Sequence, residues 1–206
     1  FVFDTDILNQ LQDKADRRVE FIWESVRELK AALLAKGGDL IVLHGKAQDE
    51  IPQLALVLQV EAVFVNHDYE PRAIARDLNV SQQLQLLAIN FEHFKDHVIF
   101  EKDEVLTMVG KPYAVFTPYK NMWLKTVCDD SLQPYPVDNY VQHLAKSSAS
   151  VLPSLENMGF TRTNLASIKL PTGMQGGLSL FDDFQQRIDR YKEARDFPAV
   201  KGVSYL

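Results

Sequence analysis

A single cysteine, Cys128, stands among 206 residues, so no disulfide can close within the chain and a reducing compartment, the cytoplasm, fits it best. Positive charge is also in short supply: 22 Lys and Arg face 28 Asp and Glu, a formal −6. Binding to nucleic-acid phosphates rests on clustered Lys and Arg, so this stretch is not expected to hold DNA by itself. No apolar run approaches the roughly 20 residues of a membrane span, and the first residues lack the basic, apolar, small-residue pattern of a leader. Catalytic and nucleotide-binding signatures are missing as well: G-x-G-x-x-G, G-x-x-x-x-G-K-[ST] and G-x-S-x-G do not occur. The five histidines, at 44, 67, 93, 97 and 143, are scattered, and the His93/His97 spacing has no neighbouring Glu and no clear helix beneath it, so no metal site is expected.

What is present is a repeated alternation of apolar runs and amphipathic stretches, in a chain that is 46% hydrophobic and can bury one sizeable core. The organising stretch is Glu61 to Pro71. Ala62 to Val65 form an unbroken apolar run, as a parallel strand covered on both faces requires, and Pro71 suits the first turn of a helix. The loop between them falls at the carboxyl end of a parallel strand, where open α/β sheets place ligand crevices. Asp68 and Glu70 project from it, either as solvated turn and helix-start carboxylates or as ligands.

The same grammar extends both ways. Phe1 to Asp4 reads as a strand with no central strand before it, which leads us to expect that upstream sequence is missing. Asp16 can cap a helix with Val19, Ile22, Trp23, Val26, Leu29 and Leu33 on its apolar face, ended by Gly37-Gly38. Arg17 and Arg18 lie in its first turn, where the helix dipole disfavours cations. Leu40 to Leu43 is a second buried strand, closed by His44-Gly45. Asp49 can cap the next helix, with Pro52 in its first turn and Ile51, Leu54, Ala55 and Leu58 on its buried face. A helix over about 71–86 leads to a strand over 87–91. Strand and helix alternating at this spacing predict parallel βαβ crossovers in a Rossmann-like or flavodoxin-like α/β fold with helices on both faces of the sheet. A helix is expected from about Thr117-Pro118, a proline- and serine-rich connector over 128–176, and an amphipathic helix from Gly177 carrying Leu180, Phe181, Phe184, Ile188 and Tyr191 until Asp196-Phe197-Pro198 ends it.

Three segments carry a family resemblance. Val115 to Lys125 (VFTPYKNMWLK), Val98-Ile99-Phe100-Glu101, and Asn66 to Asp77 (NHDYEPRAIARD) resemble the N-terminal α/β domain of the DNA photolyase/cryptochrome family, in particular its cyclobutane pyrimidine dimer photolyases. Arg195-Asp196-Phe197-Pro198-Ala199-Val200 is similar to the stretch that introduces that family's flavin-binding helical domain. The resemblance implies an antenna domain over 1–127 with its first strand missing, a connector over 128–176 and the start of the FAD-binding helical domain over 177–206. It implies a light-driven repair enzyme, a deoxyribodipyrimidine photo-lyase, in which reduced FAD donates an electron to a flipped-out lesion. The alternatives are a cryptochrome-like blue-light photoreceptor and a generic nucleotide-binding α/β module.

The resemblance also assigns roles to residues. Arg18, Asp68 and Glu70 match positions that hold a deazaflavin-type antenna pigment, of which FMN is a variant. Arg72-Ala73 stand where folate-binding members place an Asn-Glu pair, so methenyltetrahydrofolate is not the expected pigment. Tyr191 matches an FAD contact, Arg195 a position near DNA, and Val203, Ser204, Tyr205 and Leu206 the opening of the phosphate-binding turn. Val203 replaces the usual Thr there and leaves only its backbone N–H. No catalytic residue is expected within these 206 residues. The relay tryptophans belong to the missing domain and are not Trp23 or Trp123. The implied partner is damaged DNA, through that missing domain, and the protein is expected to be a monomer without membrane contact.

Overall fold

A computed structural model describes residues 1–146, 150–168, 170–197 and 199–201. Its contacts divide the chain into two units, Phe1–Lys46 with Asn139–Leu206, and Ala47–Asp138. The class is α/β, and each unit holds one pair of parallel strands. No described helix is long and apolar enough to cross a membrane.

In the first unit, β1 (Val2–Asp4) leads through a short helix, α1 (Thr5–Leu8), to α2 (Arg17–Ala35), and the crossover returns to β2 (Leu43–Gly45) beside β1. Asp16 caps α2 as its sequence predicts, its side chain accepting the Arg18 N–H. Gly37, at φ +85°, ends it with the Gly38 N–H donating to Leu33 O, a left-handed turn that glycine enters without strain. Val19, Trp23 and Val26 face inward as expected, but Ile22 and Leu29 are exposed. The buried face instead takes Lys30, whose ammonium pairs with Asp39 and donates to Leu40 O at 2.8 Å. That pair holds the Asp39 carboxyl well below the usual range, and the Ser150 N–H adds to it at 3.0 Å.

The second βα pattern differs from expectation in detail. The ladder starts at Leu43 and not at Leu40, because β1 is only three residues long and its register pairs Val2 with Leu43. Val42 is buried just before it. Apolar runs report burial, and they do not fix where a partner strand begins. Helix α3 (Ala47–Leu58) likewise starts ahead of Asp49, which lies in its first turn with Glu50, and it encloses Pro52.

The second unit pairs β3 (Ala62–Asn66) with β4 (Asn90–Phe94), joined by α4 (Pro71–Leu86). Leu87 and Ala88, expected in the strand, form the exit of α4. The Ile89 N–H reaches back to Leu84 O at 3.0 Å and Ala88 takes φ +57°, so the ladder opens only at Asn90. Ala55, Val80, Leu84 and Ile89 form the core here, with Val63 and Phe91 packed against it. The strand β3 is not buried on both faces: its other face carries Phe64, 67% exposed and stacked on Phe94 at 6.1 Å. Helix α5 (Phe116–Thr126) begins where Thr117-Pro118 predicts.

The stretch read as a connector also packs. Leu155, Met158 and Phe160 join Phe3, Val19, Trp23, Val26 and Val42 in one cluster, and the Trp23 indole N–H donates to Pro153 O at 2.8 Å. Helix α6 (Gly173–Gln185) starts four residues before Gly177 and stops well short of Asp196. Its start is fixed by the Glu28 carboxylate, which accepts the Gln175 N–H at 3.1 Å, while a Cβ at Gly173 would meet Glu28 Oε2 at 1.9 Å. A 3₁₀ turn, Ile188–Arg190, then interrupts the chain before α7 (Tyr191–Ala194).

Phe160 tests the packing role of the connector. Phe160→Ala is expected to cost about 3–5 kcal/mol in denaturant unfolding, the usual loss for a fully buried aromatic; a loss under about 1 kcal/mol would show that the segment only bridges its neighbours.

Candidate functional site

The β3–α4 loop leaves the carboxyl end of β3, and the chain after β4 leaves the same end because the pair is parallel. The His67 N–H extends the ladder by donating to Phe94 O at 2.8 Å. Asn66 Nδ2 donates to Asp96 Oδ2 at 2.9 Å. His67 Nδ1 lies 2.6 Å from Glu101 Oε1, and the Tyr69 hydroxyl donates to that same oxygen at 2.6 Å. The hydrogen bond to Glu101 pushes the Tyr69 phenol up to about 12, and the bonds from Tyr69 and His67 push the Glu101 carboxyl down. Among the described residues no group of His, Cys, Asp and Glu could hold a metal ion.

The two predicted acids lie together in this loop. Asp68, half-buried, accepts the Glu70 N–H at 3.1 Å, which holds its carboxyl below the usual range. Glu70 is the exposed N-cap residue of α4, ahead of Pro71, and its side chain makes no capping bond. Two carboxylates therefore offer acceptors at the carboxyl end of a parallel strand. A cleft of about 540 Å³ adjoins the loop's contacts, lined by Lys95, Asp96, His97, Phe100, Glu104 and Tyr135 among others, of which Asp96 accepts from Asn66 and His97 packs against Tyr69.

Arg18 belongs to the other unit. Its guanidinium bends back over its own cap, with Nε 3.0 Å from Asp16 Oδ1 and Nη2 2.5 Å from Asp16 Oδ2. The unfavourable dipole at this first-turn cation is thus offset by Asp16. An open cleft of about 600 Å³ runs beside it, lined by Asp13, Asp16, Arg17, Thr163 and Asn164. Arg17 Nε donates to Asn164 Oδ1 at 2.8 Å. Behind that cleft the buried Glu20 accepts the Thr163 N–H at 2.7 Å and the Thr163 hydroxyl, and Arg162 bridges Glu20 and Glu24 at 3.4 and 2.6 Å. Arg162 also stacks over the Trp23 ring at 4.6 Å. Trp23 is accordingly a packing residue, as its helix position predicts.

Tyr191 and Arg195 are neighbours on one turn. The Arg195 guanidinium sits 5.8 Å from the Tyr191 ring centre, and Phe184 meets the same ring edge-on at 5.8 Å. Val203, Ser204, Tyr205 and Leu206 lie outside the described residues, as does Pro198. Sequence reasoning missed Glu101 as a partner of the 67–70 loop. Its contacts are 32 and 34 residues away along the chain, and no local pattern announces them; the tyrosine between the two acids is the one available signal.

Parallel strands with helical crossovers and a polar loop at a carboxyl end define an α/β architecture of the class whose ligand crevices, where present, lie at that end. A family model for DNA photolyase matches residues 1–137, and the chain belongs to the DNA photolyase family. The deoxyribodipyrimidine photo-lyase of Halobacterium salinarum is 31% identical, aligned over 100% of this chain and 42% of its own length. That of a Synechococcus species is 32% identical over 100% and 43%. An uncharacterized 31.6 kDa protein from another Synechococcus strain is 31% identical, covering 100% of this chain and 72% of its own. Among solved structures, a class III photolyase from Agrobacterium tumefaciens superposes with a TM-score of 0.62 at 24% identity, over 89% of this chain and 39% of its own. A Synechocystis cryptochrome gives 0.64 at 20%, over 85% and 37%. The chain thus spans less than half the length of the two curated photolyases.

Glu20 gives the first unit a pH dependence whose sign is fixed. Burial alone would raise its carboxyl, but the hydrogen bonds from Thr163 and then Arg162 outweigh burial and hold it below the usual range. The folded state therefore binds this proton less tightly than the unfolded chain, so the stabilisation is full above the ordinary Glu value of about 4.3 and is lost as pH falls below it. In urea unfolding Glu20→Gln is expected to be less stable than wild type near pH 7 and to approach it as pH falls below the ordinary Glu value.

Proposed function

We propose that this chain is the antenna-carrying α/β portion and the threshold of the flavin domain of a light-driven DNA repair enzyme, a deoxyribodipyrimidine photo-lyase. The observation that carries the reading is the placing of Asp68 and Glu70 at the carboxyl end of β3, within the 1–137 match to the photolyase family. On this reading the boundaries fall near 127 and 176, the second between the connector and the flavin domain. The α/β portion takes a second pigment, and the helical region beyond takes FAD, which supplies the electron for splitting a pyrimidine dimer. Of this chain's residues Tyr191 would edge FAD and Arg195 the DNA; their mutual contact leaves Tyr191 partly exposed. The protein acts as a cytoplasmic monomer.

The loop residues fit a planar pigment that presents an N–H donor at its ring edge. Carboxylates accept and cannot donate when ionised, and the depressed Asp68 carboxyl stays ionised near neutral pH. Such acceptors match the imide N–H of a deazaflavin or flavin ring. Arg18 is assigned to the same pigment by family position, and Arg72-Ala73 in place of Asn-Glu argues against a folate.

Reconstitution of the whole protein with each pigment tests this. A deazaflavin or FMN is expected to bind, and Asp68→Ala or Glu70→Ala to weaken it about tenfold or more, the worth of a charge-assisted hydrogen bond. Folate uptake, or flavin-type binding indifferent to both substitutions, would refute the assignment. The 206-residue chain alone, at −6, is expected to show no salt-sensitive binding to dimer-containing DNA in a filter or anisotropy assay; tight binding would place the DNA site here.

A further inference from the structure

The acids at 68 and 70 alternate with His67 and Tyr69, and both of the latter are engaged by one atom. Glu101 Oε1 receives the Tyr69 hydroxyl at 2.6 Å and sits 2.6 Å from His67 Nδ1. Glu101 is itself held from behind: its backbone N–H donates to the Glu104 carboxylate, and that carboxylate is paired with Lys95 at 2.8 Å on both oxygens. Lys95 directly follows β4, so the chain of contacts ends on the ladder that also carries the loop. His67 is pinned to the ladder a second time through its N–H on Phe94 O. A loop residue with two such anchors on either side of Asp68 has little freedom left. Its neighbour's carboxylate is turned by the Glu70 N–H, and only Glu70 is exposed.

We propose that Glu101 is a positioning residue for the pigment loop: one carboxylate oxygen fixes His67 and Tyr69 and thereby sets where Asp68 and Glu70 present their acceptors. This rests on the antenna reading above for the identity of the ligand, but not for the anchoring itself. A neutral amide at 101 keeps the volume and loses the charged acceptor that both donors share. The anchored loop is also preorganised, and preorganisation is felt in affinity without any direct contact to the ligand.

The test uses the full chain, with FMN as the probe. In Glu101→Gln, amide exchange at 68–70 is expected to speed up about tenfold while the unfolding midpoint in urea stays near wild type. FMN affinity is expected to drop by a similar factor. Tyr69→Phe should do part of this, and the double variant should be no weaker than Glu101→Gln alone, since the Tyr69 contact is already weakened there. The phenol of Tyr69, isolated by subtracting the Tyr69→Phe tyrosinate titration, is expected to fall from about 12 toward the ordinary tyrosine value in Glu101→Gln. Unchanged loop exchange and an unchanged phenol titration in Glu101→Gln overturn the inference, and so does additive loss in the double variant. Failure of wild type to take up FMN or a deazaflavin defeats the antenna reading instead, and the exchange and phenol measurements still decide the role of Glu101.

Discussion

The parallel register of β3 and β4 is the constraint on which the candidate site depends. With Asn66 opposite Phe94, both strands run out at the same level, and the two segments that follow must lie side by side. One of them, 67–70, carries the acids; the other, 95–104, carries Lys95, Glu101 and Glu104. An antiparallel partner would have sent the second segment to the opposite end of the pair. The ladder therefore does more than stabilise: it converts a separation of more than 30 residues in sequence into a shared carboxylate oxygen.

In the first unit the corresponding constraint is electrostatic. Two charged groups are nearly buried, Glu20 at 5% and Lys30 at 8% exposure, and neither could remain there without partners. Lys30 is answered by Asp39, Leu40 O and Ser150, and Glu20 by Thr163 and Arg162. Each pairing ties α2 to a segment more than 100 residues further along, at Ser150 and at Arg162–Thr163. These polar clamps, with the Leu155–Phe160 cluster, explain why a region without helical or strand periodicity still packs on α2. Specificity of docking comes from the ion pairs, and most of the stabilisation comes from the apolar burial beside them.

The sequence was most legible where one residue type has one physical use. Asp16 as a cap, Pro71 at a helix start and Gly37 in a left-handed turn all stand where they were expected. Two other helix exits use the same left-handed turn without glycine, at Gln59 and Ala88; after Ala88 the strand was expected too early, whereas after Gln59 β3 begins at Ala62 as expected. Apolar runs located burial at Val42 and Ile89 but not the ladders that follow them. Ile22 and Leu29 obey the helical spacing and still face outward, while Lys30, paired with Asp39, is buried with Val19, Trp23 and Val26. For the site, Asp68 and Glu70 were found through their loop, whereas Glu101 was invisible, since a contact between distant segments leaves no periodic trace.

A loop that offers only acceptors also limits what can occupy it. Two ionised carboxylates close together favour a ligand edge made of N–H or O–H donors and disfavour one that brings further negative charge. On the proposed reading the ring edge of the pigment supplies that donor, and the choice between pigments rests on family position. The Asn-Glu pair of folate-binding members is replaced here by Arg72-Ala73, so the acid of that pair is absent and Ala73, in its place, is nearly buried. A deazaflavin or flavin presents its imide N–H from a neutral ring, with any phosphate held at a distance by the ribityl chain. On the proposed reading the chain contributes no chemistry of its own at this loop. On that reading its part is to hold a ring at a fixed place and angle, which is all that passing excitation energy to a second pigment demands of a protein, and a loop anchored through Glu101 on a strand ladder is suited to that task.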